Sequence, residues 1–262
     1  MDVLKSFRIN KPCVVTVNKS NGNIVAANVY NDKYKIDIYS KEGELLNSFG
    51  TEIEVNVVIV VGGVAVDKDG NIYVSNGYND TITKLSPNGE ILLEIKNDQL
   101  SSPIGIALNS KNQIVVANAG SKTVIIFDKN GEFLFKFGEF DCPNNVVIDD
   151  NDKIYVSDLE KCRIQVFSSN GNYLFEFEKV QKINQGISSM AIMQNGNIIV
   201  GLIAVNNLML LFSPDGKLLS YLRSNDETHK ISLSIASCEN GSIVSNCQNE
   251  YIKFFRIAKE TW

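Results

Sequence analysis

Short apolar runs alternate with polar turns along the whole chain, and the alternation repeats. One repeat reads Gly63-Val-Ala-Val-Asp67, Lys-Asp-Gly70, Asn-Ile-Tyr-Val-Ser-Asn76, then Ile82-Thr-Lys-Leu85, Ser-Pro-Asn-Gly89, Glu-Ile-Leu-Leu93. Another reads Val146-Val-Ile-Asp149, Lys153-Ile-Tyr-Val-Ser-Asp158, Arg163-Ile-Gln-Val-Phe167 and Ser-Ser-Asn-Gly171. The glycine of the second turn recurs at Gly43, Gly89, Gly131, Gly171 and Gly216. Asn-Gly and Asp-Gly pairs at Asn21-Gly22, Asp69-Gly70, Asn195-Gly196 and Asn240-Gly241 mark the first turn. Such pairs favour tight hairpins because both central residues accept positive φ. Each unit therefore predicts two tight hairpins joined by a longer loop, that is, four antiparallel strands, named A to D. A small sheet with two apolar faces must stack on copies of itself, and a closed ring of such sheets is a β-propeller.

Six units fit the chain, and the sixth is incomplete. It supplies strands A, B and C between Ile231 and Phe255 and then ends without D. The missing strand has its match at the other terminus, where Val3-Leu-Lys-Ser-Phe7 aligns with Leu45-Leu-Asn-Ser-Phe49. The expectation is one all-β, six-bladed propeller over residues 1–262, with four-stranded antiparallel blades. Its N-terminal strand would complete the last blade and leave no open inner edge.

These motifs resemble the NHL repeat. The best matches are Pro103-Ile-Gly105-Ile-Ala-Leu108, Val64-Ala-Val-Asp67 through Val74, Arg163-Ile-Gln-Val-Phe167 and Gly131-Glu-Phe-Leu-Phe-Lys-Phe-Gly138. The resemblance implies a six-bladed propeller. For activity it implies several things: RNA- or protein-binding domains at the end of TRIM-type ubiquitin ligases, bacterial sensor domains, and related lactonases and lyases. Fold alone does not choose among them. The chain contains no RING, B-box or coiled-coil pattern.

Composition narrows the choice. Lys plus Arg number 25 against 30 Asp plus Glu, for a net charge of −5. Charges on the predicted B–C and D–A loops nearly cancel, so phosphate neutralisation is poorly supplied and a nucleic-acid partner is not expected. Five cysteines at irregular spacing read as free thiols. With no apolar leader at the N-terminus, a cytoplasmic monomer without a membrane segment is expected.

The loops B–C and D–A share one face around the central channel, where binding is expected. Strand B ends in Asn28, Asn76, Asn118, Asp158 and Asn246, a ring of amides and one carboxylate. Such a ring suits a polar ligand; the commoner use of these side chains is to cap their own loops. Tyr30, Lys33 and Tyr34 on the first B–C loop and Tyr78 on the second offer stacking or hot-spot surface. Thr51–Gly63 joins blades one and two with an unusually apolar run that includes Ile59 and Val60, either an interaction patch or a buried extension.

Catalysis has little to stand on. One channel carboxylate makes a poor cage for a hard cation. The single histidine, His229, lies in a loop beside Lys230. Asp67-Lys-Asp-Gly70 and Asp149-Asp-Asn-Asp152 superficially suggest calcium loops but fall on predicted A–B turns. The expectation is non-catalytic recognition of a protein or peptide partner, without metal or cofactor. The alternatives are a lactonase- or lyase-type enzyme at the channel mouth, or the substrate-recognition part of a larger TRIM-NHL-like ligase.

Overall fold

The computed structural model describes residues 1–8, 12–30, 33–51, 61–179, 186–202, 208–223, 231–247 and 251–257. Among them there are 24 strands in six four-stranded antiparallel sheets. Blade 1 is β2 (Pro12–Val17), β3 (Ile24–Tyr30), β4 (Lys33–Tyr39) and β5 (Leu45–Thr51). Blade 2 is β6 (Val61–Val66), β7 (Ile72–Asn76), β8 (Thr81–Leu85) and β9 (Ile91–Lys96). Blade 3 is β10 (Pro103–Leu108), β11 (Ile114–Asn118), β12 (Thr123–Phe127) and β13 (Phe133–Phe137). Blade 4 is β14 (Pro143–Ile148), β15 (Ile154–Asp158), β16 (Arg163–Phe167) and β17 (Tyr173–Glu176). Blade 5 is β18 (Ile187–Ile192), β19 (Ile198–Leu202), β20 (Leu208–Phe212) and β21 (Leu218–Arg223). Blade 6 is β22 (Ile231–Ser237), β23 (Ile243–Cys247) and β24 (Tyr251–Arg256), completed by β1 (Asp2–Arg8) from the other end of the chain.

Ring closure is explicit in the register. Strand β1 runs antiparallel to β24, with Asp2 opposite Arg256 and Phe7 opposite Ile252. The alignment of Val3–Phe7 with Leu45–Phe49 thus places both segments as D strands. The apolar residues that alternate along each strand collect in six clusters, each between two neighbouring blades. Stability therefore comes from blade stacking, as expected when a single sheet cannot bury both faces.

A second contact repeats at the outer rim. The glycine of each C–D turn has positive φ, and its missing side chain is occupied by the D strand of the preceding blade. A Cβ on Gly89 would lie 2.5 Å from the Phe49 ring; on Gly43, 2.6 Å from Phe7; on Gly171, 2.7 Å from Phe137; on Gly216, 2.9 Å from Phe177. Ile95 takes the aromatic's place under Gly131. These rings then meet the last residue of the next C strand: Phe137 with Phe167 at 5.0 Å and Phe177 with Phe212 at 5.1 Å between centroids. The sequence spacing from the turn glycine to the later Phe thus encodes an interlock that passes from blade to blade.

The A strands line the channel and are tied to one another at one repeated position. Asn145 Oδ1 accepts from Met190 N (3.3 Å), Ser189 Oγ from Ile235 N (3.0 Å) and Ser234 Oγ from Val15 N (3.0 Å). At the same position blades 2 and 3 carry Gly63 and Gly105, whose added Cβ would approach Ile106 N and Val146 N at 2.9 Å. Half the ring is stitched by side chains, and part of the rest is closed by direct backbone approach.

Candidate loop face and channel

The A strands enclose a channel of about 470 Å³. Its lining runs from Gly62, Ile104, Asn144 and Ser188 at the B–C end to Lys68, Ser110 and Asp150 at the A–B end. Asn144 Nδ2 donates to Ile187 O and Ser188 O across the wall. The Ser188 hydroxyl is buried without a partner among the described residues.

The residues that end the B strands divide into two groups. Asn118 is fully buried; its Oδ1 accepts from Ser101 N (2.8 Å), and its Nδ2 donates to Gln99 O (2.8 Å) and Ser121 Oγ. Asp158 is also fully buried and accepts from Asp141 N and Cys142 N. Asn246 accepts from Ser234 N at 3.0 Å, again with no exposed surface. These three side chains bind backbone of the preceding D–A loop or A strand, which satisfies polar groups that would otherwise be orphaned. Asn76 behaves differently. It is half-buried, and its Oδ1 accepts from Tyr78 N (3.0 Å) and Asn79 N (3.2 Å) of its own loop.

That Asx turn sets the second B–C loop. Asp80, with φ +53°, closes it and accepts from Ser102 N of the next D–A loop at 2.6 Å. Tyr78 stands between these anchors with 52% of its surface exposed. Asn28, Tyr30, Lys33 and Tyr34 flank the first B–C loop; their backbones belong to β3 and β4, with Asn28 opposite Lys35 and Tyr30 opposite Lys33. Their side chains, and Ile59, Val60 and His229, lie outside the described residues.

Arg163 is the charged centre that the sequence did not single out. Its guanidinium reaches Asp158 at 3.2 Å, Glu176 at 3.2 Å and Glu139 O at 3.1 Å, joining strands B, C and D to the incoming loop. A buried carboxylate needs such a partner. An Asp five residues before the Arg of Arg-Ile-Gln-Val-Phe was the available signal, since the pair faces across the hairpin. Beside it, burial and then the charges of Glu160 and Asp158 push the Cys142 thiol above its usual range, which makes it a weak nucleophile at neutral pH.

The opposite end of strand A holds the aspartates that resemble calcium loops. Asp67 accepts from Asp69 N and Asn71 N, and Asp149 from Asn151 N and Lys153 N, so both are turn caps. Tyr73 and Tyr155 donate to the remaining oxygens at 3.3 and 3.2 Å. Burial works against the Asp67 charge, but hydrogen bonds from Asn71 and the Lys84 ammonium at 3.5 Å outweigh it and hold the carboxyl below its usual range. Among the described residues no group of three His, Cys, Asp or Glu side chains is placed to hold a metal ion.

The NHL repeat family model matches residues 140–167, which comprise the loop into blade 4 and its first three strands. The chain thus carries an NHL repeat within a six-bladed propeller. It is 30% identical over 141 residues to "Protein brain tumor" of Drosophila melanogaster, a match covering 50% of this chain and 13% of that much longer protein. Among solved structures, a streptogramin B lyase superposes with a TM-score of 0.73 at 13% identity, over 98% of this chain and 88% of the lyase. A catalytically inactive virginiamycin B lyase from Staphylococcus aureus, with quinupristin, gives 0.72 at 13% identity over 97% and 99%. A Bacteroides caccae protein of unknown function gives 0.66 at 15% identity over 86% and 85%. At these identities the structures support the fold alone.

Proposed function

We propose that this NHL propeller is a non-catalytic binding module that recognises a protein or peptide on the B–C/D–A face, in the cytoplasm and without metal or cofactor. The observation that carries the reading is Tyr78. It is a large exposed aromatic on a loop already pinned by Asn76 and Asp80. Tyrosine is enriched at binding hot spots, and a pre-ordered loop loses little conformational freedom on association. Tyr30, Tyr34, Ile59 and Val60 are candidates for the same surface on their sequence alone.

The experiment is affinity capture from the source cell with the wild type, Tyr78→Ala and Ile59→Asp, read by mass spectrometry. A partner retained by the wild type and lost by Tyr78→Ala supports the reading. Identical capture by wild type and Tyr78→Ala refutes it. A second reading, a lyase acting at the channel mouth, draws on the superposition with streptogramin B and virginiamycin B lyases. Its test is incubation with quinupristin, read by liquid chromatography with tandem mass spectrometry for its conversion, and a scan of divalent metals by thermal shift. Turnover of quinupristin would displace the binding-module reading.

A further inference from the structure

The D strands of blades 1 to 3 each begin with an exposed apolar pair. The interlock under the C–D glycines takes the residue further along, such as Phe49 or Ile95. The leading pair points outward: Leu45 and Leu46 are 55% and 52% exposed, and Ile91 and Leu92 are 61% and 51% exposed. Phe133 and Leu134 follow the same pattern on blade 3. The D strands are the outer edges of their sheets, and among the described residues these side chains remain exposed.

Blades 1 to 3 add a charge to the pair. Glu44, Glu90 and Glu132 stand immediately before Leu45, Ile91 and Phe133, and all three are exposed. Among the described residues none of their carboxylates enters an ion pair. On blades 4 and 5 the same position is Asn172 and Lys217. The three sites are contiguous. Asn47 Nδ2 donates to Pro87 O at 3.1 Å across the first seam, and Ile95 seats Gly131 across the second.

We propose that the outer rim of blades 1 to 3, at the C–D turns, is a docking surface for a basic polypeptide segment that carries apolar side chains. Leucine-sized side chains would cover the three apolar pairs, and lysine or arginine would meet the three carboxylates. A second copy of this chain is the wrong occupant, because a symmetric contact would bring like carboxylates together. An anionic membrane is repelled for the same reason. This surface lies on the outer wall, and the proposal does not depend on the loop-face reading.

The test uses a fluorescently labelled synthetic peptide of alternating leucine and lysine and reads anisotropy against the full chain. Controls are a leucine–glutamate peptide and neutral phosphatidylcholine vesicles. Expected is saturable binding of the leucine–lysine peptide that weakens with salt. The triple variant Glu44→Gln, Glu90→Gln, Glu132→Gln should weaken it at least tenfold while keeping the wild-type melting curve. Leu46→Ser with Leu92→Ser should weaken it at least tenfold as well. Leu174→Ser with Leu219→Ser, on the arc that lacks the glutamates, should leave it unchanged. No binding of the leucine–lysine peptide, equal loss from the blade 4 and 5 variant, or equal affinity for the leucine–glutamate peptide would overturn the proposal. Vesicle binding abolished by the blade 1 and 2 serines would replace it with a lipid surface.

Discussion

Removing one hydroxyl at the channel should measure how the ring is held together. Ser234 lies in the A strand of blade 6, and its Oγ accepts from Val15 N at 3.0 Å and donates to Val15 O at 3.2 Å in blade 1. Ser234 and Val15 are both buried. In Ser234→Ala the two bonds vanish together, and the Val15 amide is left without its acceptor. A lost bond costs about 1 kcal/mol, and a buried group left unsatisfied costs about 1–3 kcal/mol. The Ser245 and Asn246 bonds to the Ser234 backbone are untouched, so the strand itself keeps its place. The expected loss is therefore about 1–3 kcal/mol. For a chain of this size, each kcal/mol shifts Tm by about 2–4 °C. The assay is urea unfolding of wild type and Ser234→Ala, followed by tyrosine fluorescence and circular dichroism. A shift in midpoint at constant slope is the clean result. A loss below about 0.5 kcal/mol would show that the side-chain stitches between A strands are incidental and that cluster packing alone closes the ring.

Three further outcomes test other parts of the fold. Deleting residues 1–8 removes β1 from the edge of β24 and Phe7 from its contacts with Tyr39 and Phe254; the truncated chain should aggregate or melt far earlier, and a melt identical to wild type would break the closure argument. Gly89→Ala places a Cβ 2.5 Å from the Phe49 ring at φ +90°, so a thermal melt should show a loss of about 1–3 kcal/mol, the range for strained backbone. The Asp67 carboxyl is held below its ordinary value of 3.8, so its contribution to stability is complete above that pH and is lost as pH falls through the lower folded value. Unfolding midpoints taken from pH 5 downward should therefore fall less steeply for Asp67→Asn than for wild type; parallel curves would refute it.

The repeat itself made most of the architecture legible. Turn glycines at a near-constant spacing and the match of Val3–Phe7 to Leu45–Phe49 are local features, and both correspond to contacts in the ring. The site was less legible, because the fate of an Asx side chain at the end of strand B is decided by a neighbour in space. Asn76 and Asn118 sit at equivalent positions in nearly the same local sequence. Asn118 finds Ser101 N and Gln99 O on the loop from blade 2, whereas Asn76 caps its own loop. The position of that incoming loop depends on the length and course of the D–A connection, which a motif does not encode. The same holds for the third position of strand A. Asn145, Ser189, Ser234, Gly63 and Gly105 look unrelated in the sequence, yet each faces the next A strand's backbone at the inner end of its own blade-to-blade seam.

That seam shows how a repeated fold leaves room for specialisation. Where the position is glycine, adjacent A strands approach until a single Cβ would collide with backbone. Where it is serine or asparagine, a side-chain hydrogen bond joins the two strands and leaves polar atoms along the channel wall. The polar stitches fall between blades 4, 5, 6 and 1, and the glycines between blades 2, 3 and 4. The channel is therefore polar on one side and tightly closed on the other, although every blade has the same topology. The exposed features break symmetry in register with this division. Tyr78 rises from blade 2, and the glutamate–apolar pairs occupy blades 1 to 3. Tyr78 and the glutamate–apolar pairs of blades 2 and 3 thus stand on blades joined by a glycine-closed seam. Direct backbone packing beneath them limits how far those blades can shift relative to one another, and a surface assembled across several blades keeps its shape only if the seams under it are rigid.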